Sequence, residues 1–114
     1  MTSGLKTIIY PVKDLDRAKK AFTGLFGAEP YVDQPYYVAF NAGGQDVGLD
    51  PNGHNSGLTG PTPFWFVDDI KQSLAQLFEG GAKEVQAVKD VGGGNLTATA
   101  RDADGNLIGL IQSA

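Results

Sequence analysis

The strongest constraint on what this chain can fold into is that its sequence runs twice through the same succession of elements. After a polar start, Leu5-Lys6-Thr7-Ile8-Ile9-Tyr10-Pro11-Val12 is rich in β-branched and aromatic residues and reads as a strand. A helix should follow from Asp14, a carboxylate N-cap, to Gly27, a helix stop, with Leu15, Ala18, Phe22, Leu25 and Phe26 on one face. Tyr31-Val32, Tyr36 to Asn41 and Gln45 to Asp50 are then short strands, with chain reversals at Gln34-Pro35 and Gly43-Gly44.

The order β-α-β-β-β begins again near Pro63. Phe64 to Val67 reads as a strand, and Asp69 with Gln72 has the spacing of a capping box. Ile70, Leu74, Leu77 and Phe78 make an apolar stripe that Gly80-Gly81 ends. Glu84 to Val88, Asn95 to Arg101 and Leu107 to Gln112 follow as strands, divided by Gly92-Gly93-Gly94 and by Asp102-Ala103-Asp104-Gly105. The copies also agree in detail: Val12-Lys13-Asp14-Leu15 answers Val67-Asp68-Asp69-Ile70, and Val47-Gly48-Leu49 answers Ile108-Gly109-Leu110. A module over about 1–54 and another over about 58–114 are expected, within one domain. Pro51 to Pro61, rich in Gly, Pro, Asn and Ser, is read as the linker.

Composition narrows the chemistry. With no Cys, thiolate nucleophiles, disulfides and zinc-thiolate sites are excluded. A net charge of −4 without a Lys/Arg stripe disfavours nucleic acid and acidic membranes as partners and suits a small neutral or cationic ligand. No early stretch has the pattern of a signal peptide, and no apolar run approaches the roughly 20 residues that span a bilayer, so a cytoplasmic protein is expected.

Val12 to Ala18 with Phe22, Leu25, Phe26 and Gly27, together with Asp102-Ala103-Asp104-Gly105-Asn106-Leu107-Ile108-Gly109-Leu110, resemble the helix-1 and closing-hairpin signatures of the vicinal oxygen chelate superfamily, that is, the glyoxalase/bleomycin-resistance/dioxygenase type. The resemblance runs along essentially the whole chain. It implies an α+β fold in which two tandem βαβββ modules form a curved mixed sheet around a cleft, with the helices on the outer faces. It also implies a homodimer, and four metal-ligand positions that fall here on Thr7, Gly48, Thr62 and Gly109. None of the four is a usual ligand for zinc, nickel or iron, and neighbours one residue away are no better. No metal or other cofactor is therefore expected, and the binding cleft is what remains of the family's machinery.

Alternation along strands then fills in that cleft. Thr7 shares a face with Ile9, Thr62 with Phe64 and Phe66, and Gly48 with Asp46 and Asp50. The two Asp residues either meet a cationic ligand group or lie at strand ends in water. Gly48 and Gly109 either make room for a ligand or mark twist in the strand. Tyr36 and Tyr37 must send one ring to each side, so one of them lines the cleft, and Tyr37 is carried among the site residues; Trp65 should face the second helix.

Other candidates read as ordinary structure. His54, the only histidine and hence the first candidate proton carrier, lies in a polar cluster that suggests an exposed linker. The triple glycine lacks the Lys-Ser/Thr ending of a phosphate loop, and the Asp102 turn lacks the closing Glu of a calcium loop. The function expected is metal-independent binding of a small organic molecule, resembling bleomycin-resistance sequestration. The alternatives are a lyase, isomerase or dioxygenase with an unconventional metal site at Asp46, Asp50 or His54, and a module that acts through its surface alone.

Overall fold

Eight strands and two α-helices alternate along the chain in a computed structural model that describes residues 2–114. The chain divides into two units, Thr7–Pro61 and Thr62–Ala114, the second of which also takes residues 2–6. Each unit is an α+β arrangement with mixed strand pairing and one helix against its sheet.

The N-terminal unit takes the part of β1 (Thr2–Pro11) from Thr7 on, then α1 (Leu15–Phe26), β2 (Val32–Gln34), β3 (Tyr37–Ala42) and β4 (Gln45–Asp50), in the sheet order β2-β3-β4-β1. The strand β1 starts at Thr2, earlier than the polar opening suggests. It pairs in parallel with β4, Ile9 opposite Gly48, while β3 pairs antiparallel with β4, Ala39 opposite Gly48. The β3–β4 hairpin closes on Gly43 and Gly44, whose φ angles of 60° and 94° suit the twist of a two-residue turn and explain the double glycine.

Asp14 caps α1 by accepting from the Arg17 amide at 3.0 Å, and Gly27, with φ 65°, ends it in the left-handed conformation. Tyr10, Val12, Leu15, Ala18, Phe22 and Phe26 pack on Val38, Phe40 and Leu49, so this face of the sheet belongs to the helix. Leu25, expected in that stripe, is 74% exposed. At about 100° per residue it stands roughly 80° away from Leu15, on the flank of the stripe.

The C-terminal unit runs β5 (Thr62–Val67), α2 (Ile70–Glu79), β6 (Lys83–Asp90), β7 (Leu96–Arg101) and β8 (Leu107–Gln112), in the order β5-β8-β7-β6. Val67, Ile70, Leu74, Ala82, Ala98, Ala100 and Leu110 form its core. Asp69 accepts from the Gln72 amide at 3.1 Å, which is the Asp half of the capping box. The Ile70 amide, at the first helical position, donates to the Gln112 side-chain oxygen at 2.8 Å, a tie from the end of β8 to the start of α2. Phe78, placed in the stripe by periodicity, is 40% exposed for the same angular reason as Leu25.

The segment read as a plain linker is more ordered than that. His54–Ser56 form a 3-10 turn, Leu58 is buried, and Gly53 sits so close to Pro11 that a Cβ there would lie 2.7 Å from the Pro11 Cβ. His54 itself is exposed. No helix among the described residues is long and apolar enough to cross a membrane.

Candidate functional site

Because Tyr10, Val38, Phe40 and Leu49 face α1, alternation sends Thr7, Ile9, Tyr37, Asp46, Gly48 and Asp50 to the opposite face of the N-terminal sheet. These positions are neighbours through the register that sets Gly48 between Ile9 and Ala39. Thr7 is 6% exposed and donates its hydroxyl to the Asp46 carbonyl at 3.1 Å. Asp46 and Asp50, expected either at a ligand or in water, are half-buried.

Of the two adjacent tyrosines, Tyr36 is 66% exposed and Tyr37 lies on this face. The Tyr37 ring covers Gly48: a Cβ built there would overlap the phenol oxygen and come within 2.6 Å of Cζ. The glycine thus admits a side chain from its own sheet, and the space expected either for a ligand or as a mark of strand twist is taken by Tyr37.

A further tyrosine completes the cluster. The Tyr31 amide donates to the Ala39 carbonyl at 2.9 Å, and this holds the residue beside β3. Its phenol donates a short hydrogen bond to the Asp46 carboxylate. That bond, with burial and the Asp46 charge adding to it, pushes the Tyr31 phenol up to about 12 from an ordinary 10.0. Tyr37 is likewise pushed up to about 12, first by burial and then by the negative charge of Asp46, the ionisation of neighbouring Tyr31 and the charge of Asp50, against a hydrogen bond with Thr7 that acts in the opposite direction. Both phenols therefore stay protonated as donors across the physiological range. The face combines two carboxylates, two phenol donors and a threonine hydroxyl, a set able to receive a cationic or hydrogen-bonding group.

In the C-terminal unit the corresponding face carries Thr62, Phe64 and Phe66 from β5 and Gly109 from β8, with Phe64 opposite Gly109 in the parallel ladder. Thr62 is fully buried, Phe64 is buried and Phe66 is half-buried. The Phe64 ring lies on Gly109, where a Cβ would come within 2.5 to 2.7 Å of three ring carbons. Gly109 also pairs with Thr99 of β7, whose buried hydroxyl has no hydrogen-bond partner among the described residues. Trp65 points to the helix side, as its parity requires, and lines a cavity with residues of α2.

The family's metal does not fit these residues. In the N-terminal unit the two positions offer a Thr hydroxyl already donated to Asp46 and a glycine under a tyrosine ring. In the C-terminal unit they offer a buried Thr and a glycine under a phenylalanine ring. Asp46, Asp50 and His54 do not gather either: no group of three or more His, Asp or Glu able to hold a metal ion is found among the described residues.

Tyr31 and Thr99 were not legible as site residues. Tyr31 reaches Asp46 only because β2, β3 and β4 fold side by side, and nothing in its local sequence announces that contact.

Comparison with known proteins agrees with this architecture. The chain is similar in fold to an NAD-dependent benzaldehyde dehydrogenase structure from Legionella pneumophila, with a TM-score of 0.75 at 14% identity over 95% of this chain and 98% of that one. A glyoxalase/bleomycin resistance protein/dioxygenase superfamily member from Vibrio splendidus gives 0.72 at 19% identity, over 96% and 99% of the two chains. Methylmalonyl-CoA epimerase from Mycobacterium tuberculosis gives 0.66 at 17%, over 99% and 89%. No curated protein sequence matches the chain. The family model of the glyoxalase/bleomycin resistance protein/dioxygenase superfamily matches residues 4–110. With the repeated βαβββ units and their register, this match means that the chain belongs to the glyoxalase/bleomycin resistance protein/dioxygenase superfamily.

Proposed function

We propose that the chain binds a small organic cation without a metal, and acts by sequestering it in the manner of a bleomycin-resistance protein. The observation that supports this reading is the cluster on the N-terminal unit in which Tyr31 and Tyr37 stand beside Asp46 and Asp50. A positively charged nitrogen placed there is attracted by both carboxylates and by the faces of the aromatic rings. Ile9, on the same face of the sheet, adds apolar surface for the ligand's hydrocarbon part. A cytoplasmic homodimer is proposed with this function.

Calorimetric titration in the presence of EDTA tests the reading, with bleomycin as a large cationic ligand and benzylamine as a minimal one. Saturable binding of either that Asp46→Asn weakens about tenfold or more supports it. Binding that appears only after a transition metal is added, or no binding at all, removes it.

A second reading, a glyoxalase-like lyase, isomerase or dioxygenase, draws support from the fold likeness to methylmalonyl-CoA epimerase and from the phenol–carboxylate pair Tyr31–Asp46, two groups suited to proton transfer. Retention of nickel, zinc, manganese or iron in a simple ratio after dialysis favours this reading over the first.

A further inference from the structure

The two units share one pattern, so each position on the helix side of one sheet has a counterpart in the other. In the N-terminal unit this space is filled by a chain of rings, Tyr10 to Phe22 to Phe26 to Phe40, with successive centroids 4.9, 5.4 and 5.3 Å apart. Tyr10 stands two residues before Val12, as Trp65 stands two before Val67. Counted from the caps Asp14 and Asp69, Phe22 and Leu77 hold the same helical position, while the counterpart of Phe26 falls at Gly81, after α2 has ended. Phe40 pairs with Val47 as Ala100 pairs with Ile108.

Leu77, Gly81 and Ala100 therefore stand where three of the four rings would be, and a cavity of about 450 Å³ opens beside Leu77, the counterpart of Phe22. Trp65, Leu77, Ile108 and Leu110 line it, with Ser73 and Gln76 of α2. The cavity is open to solvent, so its apolar lining stays in contact with water until something covers it. The volume falls inside the ~300–1,000 Å³ range of small-molecule pockets, whose linings are mostly apolar with a few placed polar groups. Trp65, 37% exposed, lines that space with an indole, a large flat surface suited to aromatic contact. Ser73 and Gln76, three residues apart on one helix face, add a hydroxyl and an amide.

We propose that this cavity is a binding site for a flat aromatic molecule with one polar edge, which takes the place of the ring missing at Leu77 and stacks on Trp65. It lies on the helix side of the C-terminal sheet, opposite to the face that carries Phe64 and Phe66, and does not depend on the cation-binding reading.

Trp65 is the only tryptophan, so its fluorescence and its indole N–H resonance both report on this cavity. Titration of the intact chain with 2-naphthol should quench the emission and shift the resonance along one saturating curve. Leu77→Phe restores the counterpart of Phe22 and should weaken binding about tenfold or more, with the melting temperature unchanged or raised. Ser73→Leu narrows the cavity from the other turn of α2 and gives the same reading if Leu77→Phe does not fold. The proposal is overturned if 2-naphthol leaves the Trp65 resonance unmoved, or if the folded variants bind it as well as the parent chain. It is also overturned if Leu77→Phe dissociates a dimer while 2-naphthol binding persists, since the cavity would then be the seat of a second copy.

Discussion

The phenol end of Tyr37 occupies the space that any side chain at position 48 would need, and Gly48 is what allows the Tyr37 side chain of β3 to lie over β4. The same relationship joins Phe64 to Gly109 in the other unit. In both places an aromatic side chain of the sheet stands where metal-dependent members of the superfamily are expected to carry a ligand.

Gly48→Ala should therefore destabilise the fold by about 1–3 kcal/mol, the usual cost of overpacking, because the Cβ meets Tyr37. In the Tyr37→Ala background the same change should cost much less. Urea denaturation of the two single variants and the double variant measures the coupling, and additive costs would show that the ring and the glycine are independent.

Tyr31 and Tyr37, both pushed up to about 12 from 10.0, make stability depend on alkaline pH. A phenol whose folded value is raised favours the native state while it is protonated. Its contribution is complete below about pH 10 and is lost as pH rises from 10 towards 12. In a spectrophotometric titration of the folded chain, two of the four tyrosines should ionise late. Asp46→Asn should bring Tyr31 back towards the ordinary value, and Tyr31 and Tyr37 ionising near pH 10 in the parent chain would contradict the cluster.

Thr99→Val should leave stability unchanged or raise it by about 0.5–1.5 kcal/mol. It removes a buried hydroxyl that has no partner among the described residues and keeps the shape of the side chain. A loss of 1 kcal/mol or more in thermal or chemical unfolding would reveal a partner for that hydroxyl.

Gln112→Ala should cost about 1–3 kcal/mol, since the Ile70 amide loses its acceptor next to a side chain that is 1% exposed. Amide exchange at Ile70 gives the local reading: its protection should fall more than that of the α2 interior.

Local physics accounts for how much was legible. Asp14, Gly27, Asp69 and the Gly43-Gly44 turn act on their own neighbours, so the caps and reversals could be read from sequence. Strand parity likewise placed Trp65 towards α2 and Asp46, Gly48 and Asp50 on one face. Contacts between elements were out of reach: Tyr31 with Asp46, Gln112 with Ile70, and the rings over the two glycines each depend on how the strands and helices come together. Leu25 and Phe78 were misplaced because apolar character alone does not tell the centre of a helical stripe from its flank. The cavity beside Trp65 was latent in the repeat, because setting Phe22 against Leu77 shows the missing ring.

The strands that close each sheet on the side away from β1 and β5 are poor templates for another chain. The strand β2 is three residues long and carries Asp33, and the pairing of β6 with β7 slips twice along an outer strand that bears Lys83, Glu84, Lys89 and Asp90. A short charged edge and an irregular one both resist the addition of a foreign strand. These borders guard the protein against edge-to-edge aggregation, leaving its folded units free to concentrate without seeding fibrils.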